Sequence, residues 1–100
     1  MSHTPADIEA AQRELANLRR EIEDTDRAII RLVAGRIHLA RRVGAAKRIA
    51  GLPALDPAQE AAVVRRASEM AREEGAPEED VRYLFWHLIG TSRRVQLTED

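Results

Sequence analysis

One hundred residues bound a single small domain. Hydrophobic residues make up 44% but include only one Phe, one Trp and one Tyr, so any core is aliphatic and alanine-rich. A net charge of −1, from 16 basic and 17 acidic residues, leaves no global field to favour nucleic acid or an anionic membrane. The absence of cysteine excludes a disulfide framework, a thiolate nucleophile and a Cys-based zinc site.

The first predicted element is a helix of 42 residues, from about Ile8 to Ile49. Leu15, Leu18, Ile22, Thr25, Ile29, Leu32, Arg36, Leu39, Val43, Ala46 and Ala50 follow one another at alternating steps of three and four, a heptad seam. No proline interrupts it from Ala6 to Leu52. Such a helix is ~63 Å long, whereas a compact domain of this size has a radius of gyration of about 13 Å. Its own chain cannot cover it, and the expectation is a second copy along the seam. Gly35 and Gly44 each weaken this helix by about 1 kcal/mol against alanine. They allow either close approach of a neighbouring helix or room for a ligand beside Arg36 and Lys47.

Gly51-Leu52-Pro53-Ala54-Leu55 breaks the pattern, and Asp56-Pro57 reads as N-cap and first helical residue, with Gln59 as capping-box partner. A second helix is predicted from about Pro57 to Glu74, burying Val63, Val64, Ala67, Met70 and Ala71. Gly75-Ala76-Pro77 ends it. Glu78, Glu79 and Asp80 then suit the positive end of a third helix, which carries Val81, Leu84, Phe85, Leu88, Ile89, Ser92, Val95 and Gln96 on one side. Tyr83, Phe85 and Trp86 read as packing on that helix. The predicted organisation is one all-α domain over residues 1–100, with about 1–7 and 98–100 flexible. Met1-Ser2-His3-Thr4-Pro5 carries no leader pattern and no apolar run approaches membrane-span length, so a soluble cytoplasmic protein is expected.

The polar residues on the apolar faces carry the functional signal. Arg36 occupies a seam position that favours an aliphatic side chain, and a guanidinium there needs an anion to answer it. Lys47, the single lysine beside 15 arginines, lies 11 residues on: about 20° around the helix and ~16 Å along it. Together the two could grip opposite ends of a small dianion. Arg19 lies 17 residues before Arg36, about 25 Å along the rod, so if it serves the same site it comes from another chain. Its alternative is an ordinary solvated arginine. Glu60 falls on the stripe of Val64, Ala67 and Ala71, one turn from Asp56, while Ser92 and Gln96 continue the stripe of Phe85 and Leu88. Polar groups on three inner faces suggest a wet, charged pocket inside a helical bundle. The three histidines match no metal spacing, and the pairs Arg41-Arg42, Arg65-Arg66 and Arg93-Arg94, set among acidic residues, read as solvated faces.

From about Leu15 to Gln96 the chain resembles the all-helical, AroQ-type chorismate mutases. Leu18-Arg19-Arg20-Glu21-Ile22-Glu23-Asp24-Thr25-Asp26 is similar to that family's LRxxIxxxD opening. Arg36, Val43-Gly44-Ala45-Ala46-Lys47, Asp56, Glu60, Ser92 and Gln96 follow in order. The resemblance implies an intertwined homodimeric helical bundle with two equivalent sites for the dianion chorismate, and no cofactor or metal. It implies that Arg36, helped by Ser92, holds one carboxylate and that Arg19 of the other chain holds the second. It further implies that Lys47 and Gln96 bond the ether oxygen and that Asp56 and Glu60 receive the ring hydroxyl. One departure stands out: family members commonly carry arginine directly before the glutamate, where this chain has Gln59, which loosens the electrostatics beside Glu60.

The rearrangement of chorismate to prephenate, a step towards aromatic amino acids, needs a folded dianion and a stabilised ether oxygen rather than a nucleophile. The sequence leaves as alternatives a 4-amino-4-deoxychorismate mutase, an isochorismate pyruvate-lyase of similar build, and a non-catalytic helical dimerisation or regulatory module. A shikimate-pathway enzyme is a candidate partner.

Overall fold

The computed structural model describes residues 2–98, so Met1 and residues 99–100, part of the ends expected to be flexible, lie outside the described residues. Three helices account for the described fold: α1 Pro5–Ala50, α2 Pro57–Glu73 and α3 Glu78–Gln96. The all-α class with one very long helix is as the sequence predicts. Among the described residues no helix is long and apolar enough to cross a membrane.

Local chemistry sets each boundary. α1 begins three residues before the apolar pattern does, because Thr4 and Asp7 cap it reciprocally. The Asp7 N–H donates to Thr4 Oγ1 at 3.1 Å and the Thr4 N–H to Asp7 Oδ2 at 3.1 Å, with proline at the first helical position. These bonds hold the Asp7 carboxyl below its usual range. α1 ends in a Schellman turn: Leu52 N–H reaches Lys47 O at 2.8 Å and Gly51 N–H reaches Arg48 O at 3.3 Å, with Gly51 at φ +70°. α2 ends in the same way around Gly75, at φ +71°, where Ala76 N–H reaches Ala71 O at 2.8 Å. Both turns use the left-handed region that glycine enters without strain. At the start of α2 the Asp56 side chain accepts from the Gln59 N–H at 3.2 Å. The return bond from the Gln59 side chain is not made, so Asp56 is a simple N-cap and not half of a capping box.

The chain divides into two compact units between Leu32 and Val33. The first is the N-terminal part of α1. Its seam residues are exposed, Leu15 at 48%, Leu18 at 44% and Ile22 at 59%. The second unit joins the rest of α1 to α2 and α3. Ion pairs and hydrogen bonds link Glu60 to Arg93, Ser68 to Arg82 and Arg72 to Glu78, so α2 and α3 form an antiparallel hairpin. Residues 36–48 of α1 run alongside 88–96 of α3 in the same direction.

The core of the second unit is small: Ala40, Gly44, Ala67, Ala71 and Ile89 are buried. An added Cβ on Gly44 would stand 2.9 Å from Gln96 Cα, so glycine is what lets α3 dock here. Gly35, expected to share that role, has nothing of this chain within 4 Å of such a Cβ. Other inward assignments also shift. Val63 and Val64 are half-buried, while Met70 and Leu84 are exposed. Tyr83 and Trp86 are exposed too, because α3 turns Phe85 and Ile89 inward and those two aromatics away.

Candidate functional site

A cleft of about 310 Å³ opens in the second unit, a volume within the range of small-molecule sites. α1 lines it with Arg36, Leu39, Ala40, Val43 and Lys47, and the following link adds Ala54 and Asp56. α2 contributes Gln59, Glu60 and Val63, and α3 contributes Ile89, Ser92, Arg93 and Gln96. The structure thus gathers Arg36, Lys47, Asp56, Gln59, Glu60, Ser92 and Gln96 from the residues singled out in the sequence. Arg19 belongs to the first unit, is exposed, and does not line the cleft.

Arg36 is half-buried at one end. Its Nη1 donates to Ser92 Oγ and to Leu88 O at 3.3 Å, and its guanidinium carbon lies 5.9 Å from the centroid of the Phe85 ring. Burial pushes the guanidinium down from its ordinary value, although an arginine stays charged in proteins. Ser92 makes two bonds: its hydroxyl donates to Leu88 O one turn back, at 3.0 Å, while its oxygen accepts from Arg36. With Nη1 held by α3, the remaining donors of the fork can answer an anion.

At the other end Lys47 Nζ donates to Gln96 Oε1 at 2.7 Å and to Ala54 O at 2.8 Å. An ammonium has only donors, so the oxygen of the Gln96 amide faces Lys47 and its NH₂ is left to donate elsewhere. Two of the three ammonium donors are used, which leaves one for a ligand. Arg48 donates to Gln96 O at 3.1 Å and steadies the last turn of α3. Lys47 and Gln96 therefore form one hydrogen-bonded unit in which the ammonium polarises the amide.

The third wall is an ion pair. Arg93 Nε donates to Glu60 Oε2 at 3.2 Å and Nη2 donates to Glu60 Oε1, a two-pronged contact across the hairpin. Glu60 holds the Arg93 guanidinium above its ordinary value. Sequence reasoning assigned Arg93 to a solvated face. The signal that could have found it is its place one helical turn after Ile89, the buried residue of α3. The electrostatics beside Glu60, expected to be loose because residue 59 is glutamine, are tightened from a different helix. Gln59 itself lines the cleft but is exposed.

Two cations at separate points, an ammonium–amide donor pair and a guanidinium-bound carboxylate suit an extended anionic ligand that also carries neutral oxygens. Residues 18–97 match the chorismate mutase type II family. The chain is also 30% identical over 82 residues to a chorismate mutase of Methanocaldococcus jannaschii, an overlap of 82% of this chain and 83% of that protein. With the family match spanning most of its length, the chain belongs to the chorismate mutase type II family.

Proposed function

We propose that this chain is an isomerase that converts chorismate to prephenate, working as a homodimer with two shared sites. The observation that carries the reading is the Lys47–Gln96 pair, opposite Arg36 in one cleft. In the reaction the ether C–O bond breaks as a C–C bond forms within the same molecule, and no atom is gained or lost. A catalyst has to hold the extended dianion folded and to stabilise negative charge on the departing ether oxygen.

Each part of the cleft has a role in that scheme. Arg36, braced by Ser92, takes one carboxylate. The free ammonium donor of Lys47 and the NH₂ of Gln96 point their charge at the ether oxygen, a contribution of about 3–4 kcal/mol for each well-placed donor. Asp56 and Glu60 receive the ring hydroxyl. All of this is preset by helix packing, so little reorganisation accompanies the reaction.

The second carboxylate calls for a further cation, and Arg19 of a second copy supplies it. The exposed seam supports this. Leu15, Leu18, Ile22, Ile29, Leu32, Leu39 and Val43 remain 44–73% exposed in the single chain. Burying such a side chain completely from full exposure contributes about 1.5–3 kcal/mol, and at this exposure roughly half of that is forgone at each. An intertwined all-α dimer covers that stripe and brings each Arg19 towards the other chain's cleft. The same reading places the chain in the cytoplasm on the shikimate route, with an upstream enzyme of that route as candidate partner.

Incubating the purified protein with chorismate, following loss of its absorbance and identifying the product tests the proposal. Prephenate is expected. Unchanged chorismate alongside turnover of 4-amino-4-deoxychorismate, or pyruvate release from isochorismate, would overturn it.

A further inference from the structure

The Glu60–Arg93 pair is one of several links between α2 and α3, beside Arg72–Glu78 and Arg82–Ser68. It stands on the wall of the cleft, with Glu60 22% and Arg93 41% exposed at the side chain. Both carboxylate oxygens of Glu60 are engaged by one guanidinium. Two consequences follow from that geometry. A fork-to-fork contact restricts Glu60 to one orientation, since rotation breaks both bonds together. The guanidinium also cancels most of the carboxylate's field, so the remaining lone pairs accept a hydrogen bond without offering a net negative charge.

A lone carboxylate attracts an ammonium much more strongly than a hydroxyl. A neutralised one loses that preference, and the positive Arg93 beside it repels a cationic group. We propose that Arg93 is a positioning and specificity-determining residue, which holds Glu60 as a charge-neutralised acceptor so that the cleft takes a ring hydroxyl in preference to a ring ammonium. This rests on the mutase reading above and assigns Arg93 the part of the discrimination between chorismate and its amino analogue that runs through Glu60, Asp56 being the other acceptor.

The test is steady-state kinetics of the full chain, as wild type, Arg93→Gln and Arg93→Lys, with chorismate and with 4-amino-4-deoxychorismate. Arg93→Gln is expected to raise KM for chorismate about tenfold with kcat changed by less than about threefold. The ratio of kcat/KM for chorismate over the amino analogue is expected to fall about tenfold. Arg93→Lys keeps the charge without the fork, so it should retain most of that ratio while still raising KM. A loss of packing alone would slow both substrates together and leave the ratio unmoved. A folded Arg93→Gln with wild-type KM and ratio overturns the inference. Should that variant fail to fold, Arg93→Lys decides, and wild-type KM from it overturns the positioning role. A wild type inert towards chorismate defeats the mutase reading and this inference with it. An active wild type with an unchanged variant defeats this inference alone.

Discussion

Lys47 Nζ stands 2.7 Å from Gln96 Oε1, and that single bond settles which end of the Gln96 amide faces the cleft. The oxygen accepts from Lys47, which leaves the NH₂ as the end of the amide free to donate to a ligand. Replacing it with glutamate puts a carboxylate where an NH₂ stood. Gln96→Glu is expected to lower kcat by on the order of 10²-fold at pH 7.5, since an ionised carboxylate has no proton to donate. Activity should return as the pH falls and the carboxyl takes up a proton. A pH–rate profile of the variant checks this, and equal rates at neutral and acid pH would remove Gln96 from the ether-oxygen role.

Arg19 does not line the cleft to which it is assigned, so its contribution can be tested by exchange between chains. Arg19→Ala and Arg36→Ala should each be nearly inactive alone. Mixing them under conditions that permit subunit exchange creates hybrids with one intact site and one doubly defective site. Statistical pairing predicts recovery to about a quarter of wild-type activity. Absence of recovery, with heterodimers demonstrated by mass spectrometry, would show that the site is not shared.

The two interior glycines of α1 should respond in opposite directions. Gly44→Ala places a Cβ 2.9 Å from Gln96 Cα and 3.0 Å from Gln96 O, both backbone atoms that cannot move alone. It should destabilise the protein by about 1–3 kcal/mol and lower activity by displacing Gln96 from Lys47. Gly35→Ala meets nothing of its own chain and should gain up to about 1 kcal/mol from helix propensity. Urea unfolding of both variants measures the contrast. A loss at Gly35 would indicate a second chain's backbone packed against it.

The Arg72–Glu78 pair joins the end of α2 to the start of α3 at 2.5 Å. The hydrogen bond from Arg72, and then its charge and that of Arg82, hold the Glu78 carboxyl below its ordinary value of 4.5. A depressed carboxyl contributes stability above its ordinary pKa and loses it as pH falls through the depressed one. Glu78→Gln should therefore lower the melting temperature slightly at pH 7 and progressively less at acid pH, as the pH falls through the depressed pKa. Arg72 is 71% exposed at the side chain, so the neutral-pH difference should shrink further in salt. An effect of equal size at both pH values would mean the pair's charge is not its source.

Much of this architecture was legible from residue order. Asp56-Pro57 opened α2 as read, and Gly51 and Gly75 closed α1 and α2, because caps and Schellman turns form within a few residues of chain. Thr4 and Asp7 form a cap of the same kind, which the apolar pattern, starting only at Ile8, does not mark. The placement of Arg36, Lys47, Ser92 and Gln96 on inward faces followed from helical period alone.

The sequence by itself determined three helices, where they break, and the inward side of most of the cleft's polar groups, Arg93 excepted, since these depend on local backbone geometry and periodicity. Only the tertiary structure decided which groups meet. Glu60 finds Arg93, Gln96 turns its oxygen to Lys47, and Gly44 rather than Gly35 admits α3. Periodicity sets the angle of a side chain around its own helix but not the register at which the neighbouring helix docks. That register follows from how Ala40, Gly44, Ala67, Ala71 and Ile89 pack together across the second unit.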